Sequence, residues 1–168
     1  MAIKKKPSAK PSAAKKPAKQ DTPPDPLLGK RAPKLPGAGP GAGGPYVLYF
    51  YPKDDTPGCT KEACDFRDGL SAFRKAGVRV IGVSPDSEAS HARFSEKYAL
   101  PFTLLSDPDK QLARAYSVWV KKKNYGREYM GIERSTFLVD AKGVVRRVWR
   151  GVKVAGHVDS VLAAAKEL

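Results

Sequence analysis

Cys59 and Cys64 are the two thiols of this 168-residue chain, and the residues around them point to sulfur chemistry. Cys59 follows Thr56-Pro57-Gly58. Threonine then proline reads as a helix start, with a hydroxyl at the N-cap and proline at the first helical position. Cys59 then falls in a first turn, where unpaired backbone N–H groups and the positive end of the helix dipole favour a negative sulfur. The thiolate is the nucleophilic form of cysteine. The plainer alternative is a pair of small buried hydrophobes, but the Thr-Pro-Gly-Cys setting favours a reactive sulfur.

Stepping along the helix sharpens this. Cys59, Ala63, Phe66, Leu70 and Phe73 recur at the spacing of a single helical face, so Cys59 should look into the core beside the loop that carries Thr56. Cys64 lies about 140° round the helix and about 7.5 Å along it. That geometry gives a Cα–Cα separation of about 8.7 Å, beyond the roughly 7 Å reach of a disulfide. An intact helix keeps the two sulfurs apart, and a bond between them requires the first turns to unwind.

The elements that must hold this loop follow from patterning. Tyr46–Tyr51 is an aromatic and β-branched run suited to a buried strand, and Pro52, with no N–H for a ladder, ends it. The helix after Thr56 should run to about Arg74 or Lys75, with Gly77 as its stop.

Here the residues carry a resemblance. Pro52-x-x-x-Thr56-x-x-Cys59 resembles the active-site motif of the peroxiredoxins, and YFYPKDDTPGCTKEACDFRD, from Tyr49 to Asp68, is similar to the peroxiredoxin Q or bacterioferritin-comigratory-protein branch. Two later strings agree, Ser90-His91-x-x-Phe94 through Asp107 and Tyr125-Gly126-x-Glu128 through Asp140; the likeness runs from about Leu27 to the C-terminus. It implies an α/β, thioredoxin-like fold with a mixed central β-sheet flanked by α-helices on both faces. It also implies a thiol peroxidase that reduces hydrogen peroxide and organic hydroperoxides without a cofactor or metal, in antioxidant defence. On this likeness Cys59 attacks the peroxide and Cys64 matches the position of a resolving cysteine. Thr56 orients the peroxide, Pro52 shields the sulfenic acid, and Gly58 supports the motif. Arg134 matches the arginine that keeps the sulfur ionised and binds the polarised O–O bond, and Glu62 matches an acid that holds that arginine. The likeness further implies an intramolecular disulfide, thioredoxin (or glutaredoxin) as the reductant, and a monomer.

Composition bounds the alternatives. The length suits one domain with a single core. Formal net charge is +14. Residues 1–26 hold seven lysines against Asp21 and Asp25, giving +5, and the remainder holds 24 basic against 15 acidic residues, giving +9. Residues 1–26, rich in Lys, Pro and Ala, have almost no large apolar side chain, so they are expected to be a disordered tail before a domain over residues 27–168. The tail lacks the apolar centre of a secretory signal and the arginines of a mitochondrial presequence. It could make a weak polyanion contact, but no aromatic residue stands among its lysines to stack on bases. Two cysteines are too few for a secreted disulfide scaffold, which favours a reducing compartment, the cytoplasm. No run reaches the 18 or more apolar residues of a membrane span.

Gly39-x-Gly41-x-x-Gly44 has the letters of a dinucleotide loop, but no strand precedes it and it feeds a strand instead of opening a helix. The same short glycine-rich bridge stands where the resembling branch has a longer stretch with a β-hairpin, so that hairpin is expected to be shortened or missing. Beyond the first helix, Val78–Val83 reads as a strand, Ser84-Pro85-Asp86 as the start of a helix to about Ala99, Phe102–Leu105 as a strand and Asp107–Ser117 as a helix. Val118–Val120 leads into a lysine-rich loop, then Tyr129–Ile132 and a strand at Ser135–Val139. Ala141-Lys142-Gly143 should turn that strand into Val144–Trp149, before a closing helix faced by Val154, Val158, Val161, Leu162 and Ala165.

Four other uses of these residues stand beside the peroxidase reading. Zinc on both cysteines, His91 and His157 is disfavoured by spacing, and the lack of C-x-x-C disfavours a disulfide reductase. A redox sensor would use the same cysteines, and a nucleic-acid-associated protein would use the basic tail on the same fold.

Overall fold

A computed structural model describes residues 24–36 and 44–168. Most of the basic tail, most of the glycine-rich bridge and the expected site of the shortened hairpin therefore lie outside the described residues.

β1 (Tyr46–Phe50) is buried throughout because it is the central strand. It runs parallel to β2 (Arg79–Ser84) on one side and antiparallel to β6 (Ser135–Val139) on the other. β3 (Thr103–Ser106) extends the parallel half and β7 (Val145–Trp149) the antiparallel half, in the order β3-β2-β1-β6-β7. Parallel neighbours need long crossovers, which are supplied by α1 (Pro57–Lys75) and α2 (Glu88–Tyr98).

The alternation of β1 divides the core in two. Val47 and Tyr49, with Tyr51 beyond them, pack among Phe66 and Phe73 of α1, Phe94 of α2, and Val158 and Val161 of α4 (His157–Ala165). Tyr46, Leu48 and Phe50 face the opposite way, onto Ala32, Leu35, Tyr116 and the short α3 (Gln111–Ala115). The mixed sheet is thus flanked by helices on both faces, as expected.

The differences from expectation have local causes. The lysine-rich stretch is no loop: β4 (Trp119–Asn124) and β5 (Arg127–Ile132) pair as a separate antiparallel ribbon. Tyr125 and Gly126, both at positive φ, make the two-residue turn that such a ribbon favours, and Lys121 reaches Glu128 at 2.9 Å. Lysine is a poor strand former, so composition hides this hairpin. α2 starts three residues later than Ser84-Pro85-Asp86 suggested, because Ser84 is still paired in β2 with Ser106. Ser87 caps α2 instead, accepting a bond from the Ser90 N–H at 3.1 Å. α3 is shorter than Asp107–Ser117, since the Asp107 carboxylate is already accepting from the N–H groups of Leu112 and Ala113. The closing helix begins at His157, leaving Val154 in the loop before it.

The chain near the N-terminus is tied to the sheet. Arg31 bridges to Val144, and the Asp25 carboxylate accepts from the Arg150 guanidinium, so contact with the folded body begins before Leu27.

Candidate active site

α1 begins as its sequence dictates, with Pro57 in the first turn. Thr56 is extended (φ −96°, ψ 155°), but its hydroxyl does not cap the helix; it turns back to donate to the Lys53 carbonyl at 2.9 Å. The expected N-cap bond is therefore absent, and the hydroxyl braces the loop. The first bond into the helix runs from Thr60 N to Thr56 O at 2.8 Å. The N–H groups of Gly58 and Cys59 come before it and have no place in the helical ladder. Cys59 sits at this end of the helix on its buried face, 2 % exposed, with Ala63, Phe66, Leu70 and Phe73 in line below it.

Arg134 follows β5 and precedes β6, and β6 pairs with β1 in the register Phe50 to Ser135. That pairing brings position 134 alongside the loop leaving β1. Arg134 Nη2 donates to Cys59 Sγ at 3.2 Å, and Nη1 donates to Glu62 Oε1 at 2.9 Å. One guanidinium therefore spans the sulfur and a carboxylate one helical turn further on. Its planar fork suits it to two partners at fixed angles. Gly58 makes room for the approach: a Cβ there would stand 3.3 Å from Nη2.

Glu62 is fully buried, and Oε2 has no hydrogen-bond partner among the described residues. Burial pushes its carboxyl up to about 7 against the opposing pull of Arg134. Arg134 itself is held more firmly charged than usual: burial works against the charge, but Glu62 and Cys59 outweigh it. Tyr49 lies beneath, its ring stacked on Phe66 at 4.6 Å. The bare Gly82 admits this ring, since a Cβ there would come within 2.9 Å of it. Burial raises the Tyr49 hydroxyl well above its ordinary range, so it remains neutral.

Of the residues singled out in sequence, Thr56, Gly58, Cys59, Glu62 and Arg134 gather at one end of α1, and half-buried Pro52 opens the loop before them. Cys64 is a free, half-buried thiol farther along the same intact helix, off the Cys59 face. Among the described residues, neither histidine is hydrogen-bonded to a cysteine. His91 bonds to Asp54 and His157 to Thr136, and among the described residues no three His, Cys, Asp or Glu side chains converge as a metal set would. His157 is pushed down to about 4 by burial, with the Arg134 charge adding to the effect.

Sequence reasoning missed Asp54, whose buried carboxylate gathers Tyr51, Ser90 and His91. Its partners lie up to 37 residues away, and no spacing rule connects them; Asp54 and Ser90-His91 stand in two separate resembling strings, with nothing in the letters to join them.

An arginine bridging a helix-terminal cysteine and a buried glutamate is an arrangement for stabilising a thiolate and negative charge developing on an atom beside it. Comparison with known proteins agrees with this chemistry. The AhpC/TSA family profile matches residues 39–148. Peroxiredoxin Bcp of Bacillus subtilis is 57% identical over 122 residues, spanning 73% of this chain and 78% of that protein. A putative peroxiredoxin bcp of Coxiella burnetii is 59% identical over 116 residues, spanning 69% and 77%. Among solved structures, the Xanthomonas campestris bacterioferritin comigratory protein, studied for alkyl peroxide reduction, superposes with a TM-score of 0.72 at 53% identity, covering 74% of this chain and 80% of its own.

Proposed function

The chain belongs to the AhpC/TSA family, and we propose that it works as a thiol peroxidase in which Cys59 attacks and Cys64 resolves. The carrying observation is the Arg134 guanidinium, 3.2 Å from Cys59 Sγ and anchored at 2.9 Å by Glu62.

The Cys59 thiolate attacks the nearer oxygen of a hydroperoxide, the O–O bond breaks, and the far oxygen leaves as hydroxide or alkoxide that takes up a proton. Arg134 and the free N–H groups of the first turn hold the sulfur and meet the charge that grows on the oxygens. The Thr56 hydroxyl orients the peroxide, Pro52 shields the product, Gly58 keeps the guanidinium close, and Glu62 keeps it aimed. Cys59 becomes a sulfenic acid. The Cys64 thiol condenses with it, forming the Cys59–Cys64 disulfide and releasing water. Because both lie on one helix, this step needs the first turns of α1 to open.

The substrate is a hydroperoxide and the electrons come from a thiol reductant; a thioredoxin-type dithiol is the donor we favour, with glutaredoxin next. Residues 27–168 form the catalytic unit, acting as a monomer in the reducing cytoplasm, with a weak polyanion contact through the basic tail. Intact mass after one equivalent of peroxide tests the cysteine roles. Loss of two hydrogens supports the internal disulfide, and a stable gain of one oxygen rejects it. Undiminished peroxide consumption in Cys59→Ser would reject the peroxidase reading altogether.

A further inference from the structure

The loop between β1 and α1 carries two adjacent aspartates, and both reach α2. Asp54 is buried, and its carboxylate accepts three bonds: from Tyr51 Oη at 2.6 Å, Ser90 Oγ at 2.7 Å and His91 Nδ1 at 2.7 Å. Its own N–H donates to Asp86 at 2.8 Å. Asp55, in the left-handed region at φ 56°, accepts from Lys97 Nζ at 2.7 Å and Tyr98 Oη at 2.8 Å. The Asp55 contacts are exposed and of the kind that contributes little. The Asp54 contacts are out of water, where loss of a partner is felt in full.

His91 is 4 % exposed, and its second ring nitrogen, Nε2, stands 3.0 Å from the Leu105 carbonyl. A neutral imidazole has one N–H and one lone pair. Here both nitrogens face acceptors, a carboxylate and a carbonyl, so only the doubly protonated ring satisfies both.

We propose that His91, acting through Asp54, is a positioning residue for the peroxidatic loop: a protonated clamp that holds Pro52–Thr56 and the first turn of α1 for attack, and releases them when it gives up its proton. The inference rests on the internal-disulfide reading above, because that reading requires the loop to be held for one step and let go for the next. Asp54 is five residues before Cys59, and the Thr56-to-Lys53 bond makes the intervening segment a single braced turn. Unwinding toward Cys64 therefore pulls on Asp54.

The groups facing His91 come from each neighbouring element: Asp54 from the loop, Tyr51 from the end of β1, Asp86 after β2, the Leu105 carbonyl of β3, and Glu88 in the shared cleft on its own helix. Burial opposes the charge, but Asp54 leads the partners that outweigh it, and the ring titrates above its ordinary 6.5. The clamp is thus complete below the unfolded value and lost as pH rises through the folded one. By linkage, opening the loop releases a proton, and resolution of the sulfenic acid by Cys64 quickens as pH rises.

The test uses the full chain. Nitrogen NMR of the His91 ring in reduced protein near neutral pH should show both nitrogens protonated, with titration moving to lower pH once the disulfide forms. The rate of disulfide formation after one equivalent of peroxide should climb with pH, roughly tenfold for each unit separating the two His91 titrations. His91→Gln should resolve at the fast rate throughout and accumulate less Cys59 sulfinic acid under excess peroxide. A neutral His91 in the reduced protein, or an unchanged pH step in His91→Gln, overturns the clamp. Should His91→Gln not fold, Ser90→Ala, which removes one bond from Asp54, should shift resolution the same way by a smaller factor; no shift there counts against the clamp equally. Failure to form any disulfide is a separate result, which overturns the parent reading and the release step while the NMR of the reduced state still decides the holding step.

Discussion

Arg134 Nη2 lies 3.2 Å from Cys59 Sγ, although 75 residues separate them in the chain. The contact exists because β6 pairs with β1 and so delivers the residue before Ser135 to the loop that follows Phe50. In the proposed mechanism, catalysis is therefore a property of sheet register as much as of a cysteine.

Removing the guanidinium should show this directly. Arg134→Met should lower the second-order rate of Cys59 oxidation by roughly 10²–10³, the usual cost of losing one aimed donor. Arg134→Lys should recover only part, since an ammonium has no fork to span sulfur and carboxylate. Stopped-flow oxidation with limiting peroxide measures both, and near-normal rates in Arg134→Met would dissociate the contact from function.

Gly58→Ala probes the same contact without removing charge. The added methyl would press on Nη2 from 3.3 Å, so the guanidinium must give way by a few tenths of an ångström. A smaller rate loss than in Arg134→Met is expected, with the fold intact by circular dichroism.

Glu62 sets a pH dependence of stability. Its carboxyl is pushed from its ordinary 4.5 up to about 7, by burial first. Between those values the folded chain keeps a proton that the unfolded chain has released, so this contribution fades as pH rises from 4.5 through 7. Glu62→Gln lacks that loss. Its stability relative to the parent should rise between about pH 5 and pH 8 by on the order of 3 kcal/mol, read from urea unfolding at the two pH values. A difference that ignores pH would contradict the assignment.

His157 has the opposite sign. Burial pushes it down to about 4, and its Nε2 shares a 2.7 Å hydrogen bond with the Thr136 hydroxyl. The unfolded chain takes up a proton near 6.5 that the folded chain refuses, so stability falls as pH drops from 6.5 toward 4. In His157→Gln this acid loss should shrink, measured by the same unfolding series.

Opening of α1 on oxidation is the remaining expectation. Conversion to the Cys59–Cys64 disulfide should cost helical signal and speed amide hydrogen exchange across Pro57–Asp65, leaving the lower half of α1, packed through Phe66 and Phe73, protected. Unchanged exchange in a disulfide-bonded sample would mean that the sulfurs meet by another route.

Much of this was legible in the chain. Pro52, Thr56, Pro57 and Cys59 are a local grammar: a strand ended for want of an N–H, a helix opened at proline, and a cysteine left in its first turn. The stripe from Cys59 to Phe73 follows from helical periodicity alone, and so does the separation of the two thiols. What only the tertiary structure decided involves partners distant in sequence. The burial of Glu62 depends on what the sheet and Arg134 cover. The Asp54–His91 pair depends on α2 crossing beside the loop, and the Trp119–Asn124 strand exists because Arg127–Ile132 folds back onto it across Tyr125-Gly126. Periodicity and capping act within a few residues, and so the letters carry them. Burial, charge pairing and strand register depend on which segments meet, and only the folded chain sets that.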